Sequence, residues 1–321
     1  MLTRRLLLAA IPATLAAKAQ AAPATFTDFL AGIWTEARRE GISPAVLHAA
    51  LTGLAPNPKV LERDRHQPEF TLTWAQYRHL LITDKRIAAG RAAVRDNLNL
   101  LRAVQARFGV GPAVITGIWG LESSFGALSG DFKVVDALAT LAWDGRRASF
   151  FRPELMAALR ILDHGDVTPP GMTGSYAGAM GQPQFMPSSY LRYAVDFTGD
   201  GRRNIWTNRA DVLASIANYL EQCGWRSGQT WGQAVILPAE FDTAAVGRDA
   251  RRPLAAWAKQ GVRPLAGRWY ATADVSAAVL LPDGAAGEAF VVYPNFTAIR
   301  RYNPSDFYAL AVGLLGDDLL A

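Results

Sequence analysis

Apolar positions recur at helical spacing through most of the first two thirds of the chain. Phe29, Ile33, Trp34 and Ala37 share one helical stripe and predict a helix from residue 26. Ser43-Pro44 reads as a helix start, and Pro56 and Pro58 mark a loop. A single helix is predicted over 82–108, ending at Gly109. Pro112 opens the next, which runs through Leu121 and stops near Gly126. Shorter helical stretches follow at 134–141 and 153–162. Residues 165–187 carry many Gly and Pro and no sustained period, so they read as a structured loop. Helical spacing returns at 211–222.

The pattern changes after Trp231. Residues 233–237 and 275–281 alternate or run apolar as strands do. Pro282-Asp283-Gly284 is a turn, and 288–293 is the returning strand. A final helix is predicted over 305–315. The expected class is mainly α (α+β). The expected division is a leader at 1–22, a helical domain at 23–108, a core at 109–228, a small β-containing domain at 229–292 and a C-terminal segment at 293–321.

The first residues change how the rest is weighed. Arg4-Arg5 precedes a short apolar run, Leu6 to Leu15, and Ala19-Gln20-Ala21 has the small-x-small form of a cleavage site. The run is too short to cross a bilayer. A cleavable export signal is therefore expected, with a twin-arginine character in Thr3-Arg4-Arg5-Leu6, and the mature chain is expected in the periplasm as a monomer without stable membrane insertion. Removing the leader's three basic residues lowers the net charge from +5 to +2. The basicity thus belongs largely to the leader, and nucleic acid is not an expected partner. The single Cys223 excludes an internal disulfide and reads as a packed thiol.

Three segments carry candidate chemistry. In Gly117-Ile118-Trp119-Gly120-Leu121-Glu122-Ser123-Ser124-Phe125-Gly126, helical spacing sets Ile115, Trp119 and Glu122 on one stripe. A carboxyl in line with Ile and Trp near a helix end is partly desolvated, which raises its pKa and suits it to protonate a glycosidic oxygen. A surface Glu that merely bridges the helix is the plain alternative. The second segment runs from Gly174 to Tyr190. Its small residues allow close backbone approach, while Ser175 and Gln184 offer hydrogen bonds among apolar neighbours. The third, Asp196-Phe197-Thr198-Gly199-Asp200-Gly201-Arg202, fits the start of an EF-hand-like loop, with oxygens at its first, third and fifth positions and then the turn glycine. Thr207 stands where a standard loop carries its closing Glu. A metal-free Asp/Gly turn and a structural Ca²⁺ site are both open.

Together the first two segments resemble the lytic murein transglycosylase B family. Further anchors are Asp136-Ala137-Leu138-Ala139-Thr140-Leu141, Arg146-Arg147, Gln184-Phe185-Met186-Pro187-Ser188, Pro294-Asn295-Phe296 and Arg301-Tyr302-Asn303. The resemblance spans about residue 26 to the C-terminus. It implies a lysozyme-like helical core and cleavage of the bond between N-acetylmuramic acid and N-acetylglucosamine in peptidoglycan. It also implies that Glu122 is the catalytic acid. Ser175 and Gln184 would line the scissile subsites, and Tyr77 and Tyr219 would face the cleft. Ser123, Arg146 and Arg147 would contact saccharide or peptide, and Tyr302, Asn303 and Tyr308 would close the site. Asp211 would complete a longer cation loop with Asp196, Thr198, Asp200 and Arg202. Pro183 stands where some relatives carry Gly, and it is expected to stiffen the loop beside Gln184.

A single carboxylate implies a particular chemistry. Ordinary glycosidases pair two. The family resemblance implies that Glu122 would serve as acid and then base, that the substrate's own C6 hydroxyl would attack, and that a 1,6-anhydro product would leave without a cofactor. The alternatives are a water-using muramidase, for which Asp131, Asp136 or Asp144 would be the second carboxylate, and a glycan-binding module without turnover.

Overall fold

A computed structural model describes residues 25–65 and 72–321. The expected leader lies outside the described residues. Helices α1 (Phe26–Arg39), α2 (Pro44–Leu51), α3 (Pro58–Arg65), α4 (Trp74–Leu81), α5 (Asp84–Asp96), α6 (Leu98–Phe108) and α7 (Pro112–Ser123) come first. After them come α8 (Val134–Asp144), α9 (Ala148–His164), α10 (Pro187–Tyr193) and α11 (Arg209–Gln222). Beyond a sheet-forming segment that contains α12 (Leu254–Lys259), α13 (Pro294–Tyr302) and α14 (Asp306–Leu320) close the chain. The mainly helical class is as expected. No helix among the described residues is long and apolar enough to cross a membrane.

Local chemistry explains where the helices differ from expectation. Asn57 Oδ1 accepts the N–H groups of Lys59 and Val60 at 3.1 and 3.4 Å, so Asn57 caps a helix that Pro58 begins, where the sequence suggested only a loop. The helix expected over 82–108 is broken at Asn97. Its side-chain amide donates to the Ala93 carbonyl at 2.7 Å, and its backbone leaves the helical region. An Asn in mid-helix competes for backbone partners in this way. α9 begins at Ala148 rather than at Pro153, which it contains.

Strands β1 (Phe132–Lys133) and β2 (Thr173–Gly174) form a two-stranded ladder. Strands β3 (Gly232–Ile236), β4 (Arg252–Pro253), β5 (Arg263–Pro264), β6 (Ser276–Leu280) and β7 (Ala289–Val292) form an antiparallel sheet in the order β4-β6-β7-β3-β5. The short β4, α12 and β5 carry too little pattern to be read from sequence. β6 and β7 read as nearly continuous apolar runs because both of their faces are buried. Ala278, Leu280, Phe290 and Val292 pack into the large helical core, while Ala277, Val279, Ala289 and Val291 pack with Leu254 and Trp257 in a smaller one.

α14 lies along α7 at very short range. A side chain at Gly117 would place its Cβ 2.4 Å from the Val312 carbonyl oxygen, and one at Gly316 would place it 2.4 Å from that of Ala113. The two helices approach backbone to backbone only because glycine fills these positions. This contact brings the C-terminal helix to the end of α7 that carries Glu122.

Candidate active site

Gly111 and Pro112 start α7, and Ser124 ends it in the left-handed conformation. On its inner stripe Ile115 and Trp119 are buried. Glu122, the next position on that stripe, is half-buried at the helix end. Its Oε1 accepts a 2.6 Å hydrogen bond from the Tyr308 hydroxyl at the start of α14. Burial pushes the Glu122 carboxyl up to about 7 from the usual 4.5, and the Tyr308 hydroxyl opposes that rise. Among the described residues no other carboxylate contributes to the shift. A second one at glycosidase spacing would push the pKa further by like-charge repulsion.

Tyrosines surround this carboxyl. Tyr302 and Tyr308 are raised well above the usual phenol value, first by burial and then by the charge of Glu122. Tyr77 on α4 is raised by the same two causes in the same order. Its ring sits 5.7 Å from that of Phe307. Tyr219 on α11 packs against Tyr302 with 4.6 Å between ring centres and donates its hydroxyl to the Arg301 carbonyl. Four separate helices thus bring the expected tyrosines together.

The expected loop after β2 forms the neighbouring wall. Ser175 Oγ accepts the N–H groups of Ala177 and Ala179 at 3.3 and 3.1 Å. Gln184 sits in the left-handed region at φ 52°. Its amide donates to the carbonyls of Ser129 and Gly181 at 2.9 and 2.7 Å. Pro183 does more than stiffen this loop: its carbonyl accepts the Tyr302 hydroxyl at 2.6 Å. That role needs no backbone N–H, so proline is compatible with it.

Several expected residues have other partners. Ser123 is 1% exposed, donates to the Trp119 carbonyl and accepts the Gly126 N–H at 3.1 Å. Its hydroxyl thus shapes the turn after α7. Asn303 Oδ1 accepts the Ser305 N–H at 3.1 Å, joining α13 to α14. Arg146 is held by Asp64, accepting partners being Asp64 Oδ2 and, at 2.8 Å, its carbonyl. Arg146 also lies within charge range of Tyr176, beside Ser175. The Arg147 guanidinium lies 5.0 Å over the rings of Phe150 and Phe151. Of the three candidates for a second carboxylate, Asp136 and Asp144 are engaged by Asn57 at 2.9 Å and Arg65 at 2.9 Å, and Asp131 is exposed. Asp136 lies in the first turn of α8 rather than at its cap, which is Lys133.

Gln182 was not singled out in the sequence. Its Oε1 accepts the Trp119 indole N–H at 2.9 Å, and its amide donates to the Trp206 carbonyl at 2.9 Å. It fixes the tryptophan beneath Glu122 to the loop. A polar residue amid the small and apolar residues of 177–186 is its only signal.

The loop that opens at Asp196 is held by its own amides. Asp196 accepts the N–H groups of Gly199, Asp200 and Gly201 at 2.7, 3.2 and 2.8 Å. Burial raises the Asp196 carboxyl, but these bonds together outweigh it and hold the group below its usual value. Asp211, fully buried, accepts the N–H groups of Phe197 and Asn204, each at 2.9 Å. Among the described residues no three His, Cys, Asp or Glu side chains are grouped to hold a metal. The expected ligand set is therefore not assembled as a carboxylate cluster, because backbone amides occupy Asp196 and Asp211. The available donors are nonetheless all oxygen, the kind Ca²⁺ takes. Burial raises the Asp211 carboxyl, and the N–H groups of Phe197 and Asn204 oppose that rise.

One raised carboxyl in a tyrosine-lined helical site has the protonation behaviour that a general acid of the glycoside-cleaving kind requires. The chain matches the family described as "Transglycosylase SLT domain" over residues 25–317 and belongs to it. It is 37% identical over 249 residues to membrane-bound lytic murein transglycosylase B of Escherichia coli strain K12, covering 76% of this chain and 66% of that protein. This chain therefore spans just under two thirds of that relative. It also superposes on SltB3 of Pseudomonas aeruginosa, crystallised with NAG-anhNAM-pentapeptide. The TM-score is 0.89 at 43% identity, covering 92% of this chain and 80% of that one. The Escherichia coli lytic transglycosylase Slt35, crystallised with calcium, matches with a TM-score of 0.76 at 32% identity over 92% of each chain.

Proposed function

We propose that the chain is a lytic transglycosylase that cleaves the β-1,4 bond between N-acetylmuramic acid and N-acetylglucosamine in peptidoglycan, leaving 1,6-anhydromuramic ends. The observation that carries this reading is Glu122: a carboxyl raised to about 7 by burial, hydrogen-bonded by Tyr308, with no second carboxylate among the described residues acting on it. Such a group is substantially protonated near neutral pH and can donate to the glycosidic oxygen. Once ionised, it can accept a proton from the C6 hydroxyl of the same muramyl sugar. Attack of that hydroxyl on the anomeric carbon is intramolecular, so its effective molarity is large and no second protein carboxylate is required. Tyr308 steadies the ionised form between the two transfers. Tyr77, Tyr219, Tyr302, Ser175, Gln184, Arg146 and Arg147 bind and orient the strand around the scissile bond.

The reaction takes place in the periplasm, after export directed by residues 1–22. The donors Asp196, Thr198, Asp200, Asp211 and the Arg202 carbonyl would hold a structural Ca²⁺ that takes no part in the chemistry.

The test is Glu122→Gln, which keeps size but cannot transfer the proton. Release of muropeptides from sacculi should fall by about 10²- to 10⁴-fold or more, since one group serves both steps. The folded variant should still bind sacculi. Mass analysis should find wild-type products one water lighter than hydrolysed ends. Near-normal turnover by the variant would overturn the role of Glu122, and ordinary reducing ends would make the enzyme a hydrolase.

A further inference from the structure

A separate cavity of about 280 Å³ lies at the opposite end of the α7–α14 pair. α7 and α14 contribute Ala113 and Asp317 to it. Each stands roughly 13 Å along its helix, at 1.5 Å per residue, from Glu122 or Tyr308 respectively. The segment between α11 and β3 supplies Trp225, Gln229, Thr230 and Trp231, and α6 supplies Gln105.

The lining has a definite chemistry. Trp231 is buried, and its indole N–H donates to Asp317 Oδ2 at 3.0 Å. It can lie there only because residue 313 is glycine: a Cβ at that position would fall 2.3 Å from the indole. Trp225 is half-buried. The Trp225 indole offers the flat apolar surface that packs on the face of a pyranose, and the buried Trp231 lines the cavity beside it. Gln229 Oε1 is buried without a hydrogen-bond partner. Such an atom is costly unless a donor reaches it, and an acetamide N–H or a sugar hydroxyl is one. Asp317 is the one charged residue among those lining the cavity, and it is an acid. Anionic ligands are disfavoured, which excludes phosphate and the lactyl carboxylate of a muramyl sugar. At this volume, at the low end for ligand pockets, the cavity suits a single ring.

We propose that this cavity is a second glycan-binding site, taking one neutral N-acetylglucosamine ring and holding the enzyme to a peptidoglycan strand separately from the Glu122 cleft. The choice of a peptidoglycan strand rests on the proposed function; the preference for a neutral N-acetylated sugar rests on the cavity itself. Two sites on one rigid body raise retention on a polymer by effective concentration, without adding a catalytic contact.

The experiment follows the tryptophan indole N–H signals of the ¹⁵N-labelled full chain during titration with N,N′-diacetylchitobiose. Trp225→Phe assigns the Trp225 signal. The expected result is a saturable shift of the Trp225 signal, which glucuronate and inorganic phosphate do not produce. Gln105→Trp, at an exposed position of α6, fills the cavity. It should abolish that shift and weaken sacculus binding on the order of tenfold, while cleavage of short soluble strands stays unchanged. An unmoved Trp225 signal up to the solubility limit of the sugar would overturn the site. So would a shift that survives Gln105→Trp, or an equal response to phosphate. Absence of anhydro products with the Trp225 shift intact would instead refute the catalytic reading and leave this site standing.

Discussion

Glu122→Gln should stabilise the fold while abolishing activity, and the gain should depend on pH. In the unfolded chain the carboxyl titrates near 4.5, and in the folded protein burial holds it up to about 7. Between those values the unfolded state has lost its proton and the native state has kept it, so wild-type stability falls as pH rises through this window. At about 1.4 kcal/mol per pH unit, the full loss above pH 7 is about 3 kcal/mol. Part of Glu122 reaches solvent, so about 2 kcal/mol is the better expectation. The amide carries no charge and escapes this loss. Thermal unfolding of both proteins should therefore give nearly equal Tm values at pH 4.5 and a Tm higher by about 4 °C for the variant at pH 8.5, at roughly 2 °C per kcal/mol for a chain of this size. A difference that is the same at both pH values, or that shrinks towards alkaline pH, would refute the claim that burial raises this carboxyl.

Tyr308→Phe removes the one hydrogen bond that opposes the rise, so the Glu122 carboxyl should move further up and the alkaline limb of the pH–rate profile should shift to higher pH; a limb that stays in place would remove Tyr308 from the titration. Gly117→Ala sets a Cβ against the Val312 carbonyl and should cost about 1–3 kcal/mol in chemical denaturation, with a loss of activity larger than that of an alanine elsewhere on α7. Excess Ca²⁺ should raise Tm modestly by binding only the folded loop, and Asp200→Ala should remove that rise; no shift at millimolar Ca²⁺ would mean that backbone amides alone hold the loop.

What could be read from sequence followed range. The stripe Ile115, Trp119, Glu122 was legible because helical spacing is local, and it located the carboxyl and the direction of its shift. The strands at β6 and β7 were legible as apolar runs, although nothing local showed that their two faces serve different cores. The break at Asn97 and the helix at Pro58 turn on single side-chain-to-backbone bonds, which periodicity does not register. Ser123 illustrates the opposite difficulty. It belongs to the segment that holds Glu122, yet its hydroxyl serves the turn. The partner of Glu122 lies 186 residues away. No spacing rule reaches that far, and the tyrosines entered the sequence reading only through the family resemblance.

That distance bears on where the chemistry of Glu122 originates. An isolated α7 would leave its last turn in water, with an ordinary carboxyl that is ionised at neutral pH. α14 changes this in two opposed ways. Its packing helps to bury the carboxyl, which favours the protonated acid, and Tyr308 supplies a donor that favours the anion. In the proposed mechanism Glu122 gives a proton and then takes one back, and the two opposed influences keep both of its states accessible. The balance near 7 thus depends in part on the α7–α14 contact. That contact depends on Gly117 and Gly316, since a side chain at either position would push backbone from backbone. Two glycines without functional groups therefore help to set the environment in which, on the proposed mechanism, the carboxyl of Glu122 acts as both acid and base.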